Sequence, residues 1–106
     1  MRITKHPVND GVLRLAVAGE IDLATADVLF DTVRAVLATA RPAEVVVDLA
    51  EVTLCDSAGI DALLRARDAA HAQAVDLVVI NPRGIVRRVL DVTGTLDRLT
   101  GVPALV

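Results

Sequence analysis

The stretch that decides the fold runs Val45-Val46-Val47-Asp48-Leu49, Ala50-Glu51-Val52-Thr53-Leu54-Cys55, then Asp56-Ser57-Ala58-Gly59-Ile60-Asp61-Ala62-Leu63-Leu64. From Glu44 to Leu49 it is apolar and β-branched at its centre, which predicts a strand covered on both faces. Residues 50–56 read as the loop leaving that strand's carboxyl end. From Ser57 to His71 the period becomes helical. Ile60, Leu63 and Leu64 make the apolar stripe, and Asp61, Arg65 and Asp68 form a charged row at i, i+4 and i+7. Strand, loop and amphipathic helix in succession are the unit of an α/β sheet, and the strand's carboxyl end is where such sheets place functional groups.

On the C-terminal side, Asp76 to Ile80 reads as another internal strand, stopped by Asn81-Pro82. Gly84 to Val92 predicts a helix with Ile85, Val86, Val89 and Leu90 inward, closed by Thr93-Gly94, and the apolar tail from Leu96 to Val106 is expected to dock. On the N-terminal side, Val12 to Ala18 alternates as a strand with one wetter face. The turn signal Asn9-Asp10-Gly11 pairs it with a short earlier strand around Ile3 as a hairpin. Gly19-Glu20-Ile21-Asp22 ends that strand. A helix is expected over about 24–40, with Val28, Leu29, Val33, Val36 and Leu37 inward, Asp22 or Thr25 as its N-cap, and Arg41-Pro42 as its stop. Strands alternating with helices predict one α/β domain over residues 1–106: a mixed sheet of four to five strands with about four helices mainly on one face.

Composition narrows the function. Apolar residues are 54% of the 106, yet there is one Phe and no Trp or Tyr, so no aromatic platform exists for stacking bases. A formal net charge of -3 gives no electrostatic hold on nucleic acid or an anionic membrane. The lone cysteine, Cys55, excludes an internal disulfide and leaves a metal site short of ligands. A reducing cytoplasm is the expected compartment. Met1-Arg2-Ile3-Thr4-Lys5-His6-Pro7 lacks the apolar run of a signal peptide, and no run reaches the roughly 18–20 apolar residues that span a bilayer.

Asp56-Ser57-Ala58-Gly59 puts Ser57 at or next to a helix N-cap. Free N–H groups there can cradle an anion, including a phosphate carried on Ser57 itself. The same four residues also read as a plain capped helix start in which the serine does nothing more. Gly59 removes side-chain bulk where another backbone can come close. Cys55 has no nearby cation and reads as a buried, inert thiol. His6 and His71 lie in the leader and at a helix end, so a hydrolase using Ser57 has no positioned base. Asp48 reads as a sheet-end carboxylate with a structural hydrogen bond rather than a metal ligand, and Arg87 and Arg88 as a solvated face rather than a partner contact. Neither G-x-x-x-x-G-K-[ST] nor G-x-G-x-x-G occurs, so no nucleotide chemistry and no cofactor are expected.

The wider pattern joins Gly19-Glu20-Ile21-Asp22-Leu23-Ala24-Thr25-Ala26, an amphipathic helix, and Val45-Val46-Val47-Asp48-Leu49 to Val52-Thr53-Leu54-Cys55-Asp56-Ser57-Ala58-Gly59. Leu77-Val78-Val79-Ile80-Asn81-Pro82, Val86-Arg87-Arg88-Val89-Leu90 and Thr93-Gly94 follow. In that order and spacing nearly the whole chain resembles a STAS domain, the fold shared by anti-sigma factor antagonists and the cytoplasmic tails of sulfate transporters. Leu54 and Cys55 stand where other apolar residues are usual.

The resemblance implies a non-enzymatic, phosphorylation-controlled partner switch. The unmodified antagonist binds an ATP-binding serine-kinase anti-sigma factor and frees the sigma factor. The kinase phosphorylates the serine matching Ser57, the complex separates, and a phosphatase resets it. Asp22 matches an acidic partner-contact position. The expected docking surface is Asp22, Thr25, Asp56, Ala58, Gly59, Ile60 and Asp61, on a monomer or weak dimer. The rival on the same fold is a STAS subunit held constitutively by a transporter ATPase or another signalling complex, with Ser57 never modified. A sulfate-transporter tail is not expected, since no membrane segment precedes the domain.

Overall fold

The structure is a computed structural model that describes residues 1–101. Among them the elements are strands β1 (Arg2–Pro7) and β2 (Val12–Ile21), helix α1 (Ala26–Thr39), strand β3 (Glu44–Cys55), helix α2 (Ser57–His71), strand β4 (Asp76–Ile80), and helices α3 (Gly84–Val92) and α4 (Leu96–Thr100). The strands form one sheet in the order β1-β2-β3-β4. β1 runs antiparallel to β2 as the expected hairpin, and the β2–β3 and β3–β4 pairs are parallel. This is the mixed α/β sheet that the alternation of strands and helices predicts.

Side-chain periodicity builds the core. Leu13, Leu15 and Val17 on β2 are buried with Val45 and Val47 on β3 and Leu77 and Val79 on β4. Helix α1 turns Leu29, Val33, Val36 and Leu37 inward, and α2 turns Ile60, Leu63, Ala66 and Ala70 inward. Fully burying one Leu or Val side chain contributes about 1.5–3 kcal/mol, so these rows hold the two neighbouring helices on the sheet. Helix α3 packs on β3, and α4 packs along β4 with Leu99 fully buried. No helix among the described residues is long and apolar enough to cross a membrane.

Four sequence expectations need correction. First, residues 50–55 are strand, not loop. β3 advances from Asp48 to Glu51 while β2 advances only from Ala16 to Ala18, and from Val52 to Leu54 while β2 moves from Gly19 to Glu20. Bulges of this kind break the two-residue alternation by which a strand is read. Gly19, at the second irregularity, has φ 98, a conformation that favours glycine. Second, β3 is not covered equally on both faces, because Val46 is only half-buried, like Arg14, Ala16 and Val78 beside it.

Third, Val28 and Ile85 point outward, at 55% and 54% exposure. Both helices carry more apolar residues than one inward stripe can hold. Fourth, the α1 helix begins at Ala26, after a turn built by Asp22. The tail expected to dock does so as far as α4, and residues 102–106 lie outside the described residues.

The wetter sheet face carries a polar tie from β2 through β3 to Asn81, just past the end of β4. Asp48 Oδ2 accepts from Arg14 Nε at 3.1 Å, and Oδ1 accepts from the Ala50 N–H at 2.9 Å and Asn81 Nδ2 at 3.2 Å. Burial pushes the Asp48 carboxyl up. The bonds from Ala50, Asn81 and Arg14, together with the Arg14 charge, outweigh burial and hold it below its ordinary value.

Candidate functional site

The carboxyl ends of β2 and β3 bring two segments together. Ile21 lies opposite Cys55, and the Asp56 N–H donates to the Ile21 carbonyl at 3.2 Å. The first turn of α2 therefore rests on the end of β2. A Cβ at Gly59 would stand 2.7 Å from Ile21 O and 2.8 Å from Cys55 Sγ, so only glycine lets the helix start this close to the sheet.

Asp56 is the N-cap of α2. Its extended backbone leads into the helix, and its side chain accepts the Gly59 N–H at 3.0 Å. Ser57 is thereby the first helical residue. It is exposed, and its hydroxyl makes no hydrogen bond within the described residues. The Ser57 and Ala58 N–H groups are the helix's remaining open donors, since the first turn has no intrahelical acceptors for them.

Asp22 and Thr25 form the second half of the site. Asp22 Oδ1 accepts the N–H groups of Ala24 at 3.0 Å and Thr25 at 3.1 Å, while Thr25 Oγ1 accepts the Asp22 N–H at 2.9 Å. Thr25 Oγ1 also donates to the Glu20 carbonyl at 3.0 Å. The two residues named as alternative caps thus act as one reciprocal turn at the head of α1.

The other expected docking residues divide by depth. Asp61 is exposed, Asp56, Ala58, Asp22 and Thr25 are half-buried, and Gly59 and Ile60 are buried. Gly59 and Ile60 shape the surface from beneath. Asp61 is partnered by Arg65 Nε at 2.8 Å, and the same guanidinium reaches Asp27 at 3.7 Å and covers the Phe30 ring at 4.7 Å. This exposed cluster ties α1 to α2 and partly offsets the Asp61 charge.

Two residues of this surface are missing from the sequence reading. Leu23, beside Asp22, is 82% exposed, and Leu54, opposite Glu20, is 39% exposed. Leu23 had one legible signal: a leucine inside a polar turn serves no strand or helix period. Cys55 lies beneath, its thiol pushed up to about 11 by burial and then by the Asp56 charge, and so neutral and inert. His71 ends α2, about 21 Å from Ser57 at 1.5 Å per residue, and His6 stands on β1 opposite Arg14. Among the described residues the site presents an exposed hydroxyl, carboxylates and exposed leucines, and neither histidine stands beside Ser57.

The sequence matches the family model of the STAS domain over residues 4–105. Among solved structures it is similar to an anti-sigma factor antagonist from Mycobacterium paratuberculosis, at 32% identity and TM-score 0.73, over 98% of this chain and 88% of that one. It shares the fold of the Bacillus cell fate determinant SpoIIAA in the phosphorylated form, at 16% identity and TM-score 0.71, over 93% and 88% of the two chains. It also shares the fold of a sulfate transporter family protein from Wolinella succinogenes, at 19% identity and TM-score 0.75, over 91% and 77%. No curated protein matches the sequence significantly.

Proposed function

Since this chain belongs to the STAS domain family, we propose that it is an anti-sigma factor antagonist with Ser57 as its phosphoacceptor. Unphosphorylated, it binds a serine-kinase anti-sigma factor and releases the sigma factor. Phosphorylation of Ser57 breaks that complex, and a phosphatase restores it. The chain acts in the cytoplasm by binding and release and catalyses nothing itself. The observation that carries the reading is the placement of Ser57. Its hydroxyl is exposed and unused by the fold, at the first position of a helix whose cap is a neighbouring carboxylate. The similarity to the Mycobacterium paratuberculosis antagonist supports it.

The electrostatics give the switch its size. A phosphate adds about -1.5 to -2 charges and three acceptor oxygens. The open N–H groups of Ser57 and Ala58 receive these within the fold, so α2 survives. The docking surface fares differently, because Asp22 and Asp56 already crowd it. One misplaced charge pair about 5 Å apart costs on the order of 3 kcal/mol at an effective dielectric near 20. That weakens a complex roughly a hundredfold. Leu23 and Leu54 add exposed apolar area at the same strand ends.

The test is to capture the binding partner from the protein's own cell extract and incubate it with the chain and ATP. Intact-mass analysis should show one added phosphoryl group, and Ser57→Ala should abolish it. Incorporation at Thr25, Thr53 or Thr93 would overturn the assignment of Ser57. Capture of a transporter ATPase, with Ser57 unmodified, would favour the constitutive-subunit reading instead.

A further inference from the structure

Helix α3 buries Val86 and Leu90 and leaves an apolar strip on one flank exposed. Ile85 is 54% and Val92 79% exposed, and with Val89 and the aliphatic stem of Arg88 they line a shallow groove of about 240 Å³. At 100° per residue Ile85, Arg88 and Val92 fall on one outward stripe, with Val89 at its edge packing partly on the core, and Asp91 falls on its Arg88 flank. Neither Arg88 nor Asp91 has an ion-pair partner among the described residues. The stripe is thus apolar along its middle, with one cation and one anion three residues apart on the same edge.

We propose that this face pairs with a second copy of itself, α3 against α3, antiparallel about a two-fold axis. In such an isologous contact like flanks face each other, and residue i meets j while j meets i. With the axis between Val89 and Leu90, Arg88 of each copy faces Asp91 of the other, giving two symmetric ion pairs. The same register sets Ile85 of one helix against Gly94 of the other, where a Cβ would meet nothing within 4 Å and room remains for the isoleucine. The charge pattern selects a second copy over an unrelated partner, because one helix supplies both halves of the complement. Two nine-residue helices make a small contact, below the roughly 1,200 Å² of standard interfaces, so the dimer is weak and concentration-dependent. It is independent of Ser57.

Sedimentation velocity of the full chain from micromolar to millimolar concentration tests this. The weight-average mass should climb from 11.1 kDa toward twice that value. Val92→Glu and Arg88→Asp, both at exposed positions, should each shift the midpoint at least tenfold to higher concentration without altering the circular dichroism spectrum. Combining Arg88→Asp with Asp91→Arg should restore wild-type association, a rescue that only the Arg88–Asp91 register explains. A chain monomeric to millimolar concentration would overturn the proposal and assign the stripe to another protein. So would a dimer indifferent to both single variants, which would place the contact elsewhere, as at the open edge of β1.

Discussion

Asp56 and Ser57 are neighbours with different tasks. Asp56 holds the helix through its bond to the Gly59 N–H, and Ser57 carries a hydroxyl the fold does not need. Asp56→Ala should therefore cost about 0.5–2 kcal/mol. For a domain near this size each kcal/mol lowers the melting temperature by about 4–8 °C. Ser57→Ala should leave it within a degree or two, while Asp22→Ala should lose about as much as Asp56→Ala, because Asp22 caps the turn into α1. Thermal melts of the three variants decide this, and a large loss for Ser57→Ala would show that the serine is structural. The sequence put a serine at or next to a cap and named Asp22 or Thr25 as the cap of α1. Which oxygen receives which N–H depends on backbone angles that a four-residue motif does not determine.

At the scale of elements, α2, β4 and α3 were legible to their ends, because each has a clear period and a turn or breaker beside it. The second half of β3 was not, since its two bulges scramble the alternation. The outward face of α3 was misjudged because Ile85, Val86, Val89, Leu90 and Val92 leave no single apolar side to read. Gly59 was legible only as missing bulk. Its reason, the approach of the Ile21 carbonyl, appears when distant segments meet.

Asp48 was read correctly as a structural carboxylate, and its tie between strands has a pH signature. Its folded-state pKa lies below the ordinary 3.8, so the stability it contributes is full above that value and is lost as pH falls through the folded pKa. Melts of wild type and Asp48→Asn from neutral pH downward should differ at pH 7, with wild type more stable, and converge below about pH 4. A gap that persists unchanged at pH 3 would contradict the charged role of Asp48.

Across the whole molecule, two surfaces lie on different elements. The carboxyl ends of β2 and β3 gather Asp22, Asp56, Ser57, Leu23 and Leu54, and α3 carries the exposed apolar stripe of Ile85 and Val92. The fold was legible almost entirely, and so was the place of Ser57 at the start of α2. The exposed leucines were not, since exposure is a property of the assembled surface. The central claim is that charge at Ser57 decides partner binding while the fold stays intact. Calorimetric titration of the captured anti-sigma factor with wild type and with Ser57→Asp tests it most directly. The aspartate suits the helix N-terminus, so its melt should match wild type, yet the added carboxylate should weaken the complex tenfold or more. Equal affinity from an equally stable Ser57→Asp protein would contradict the claim.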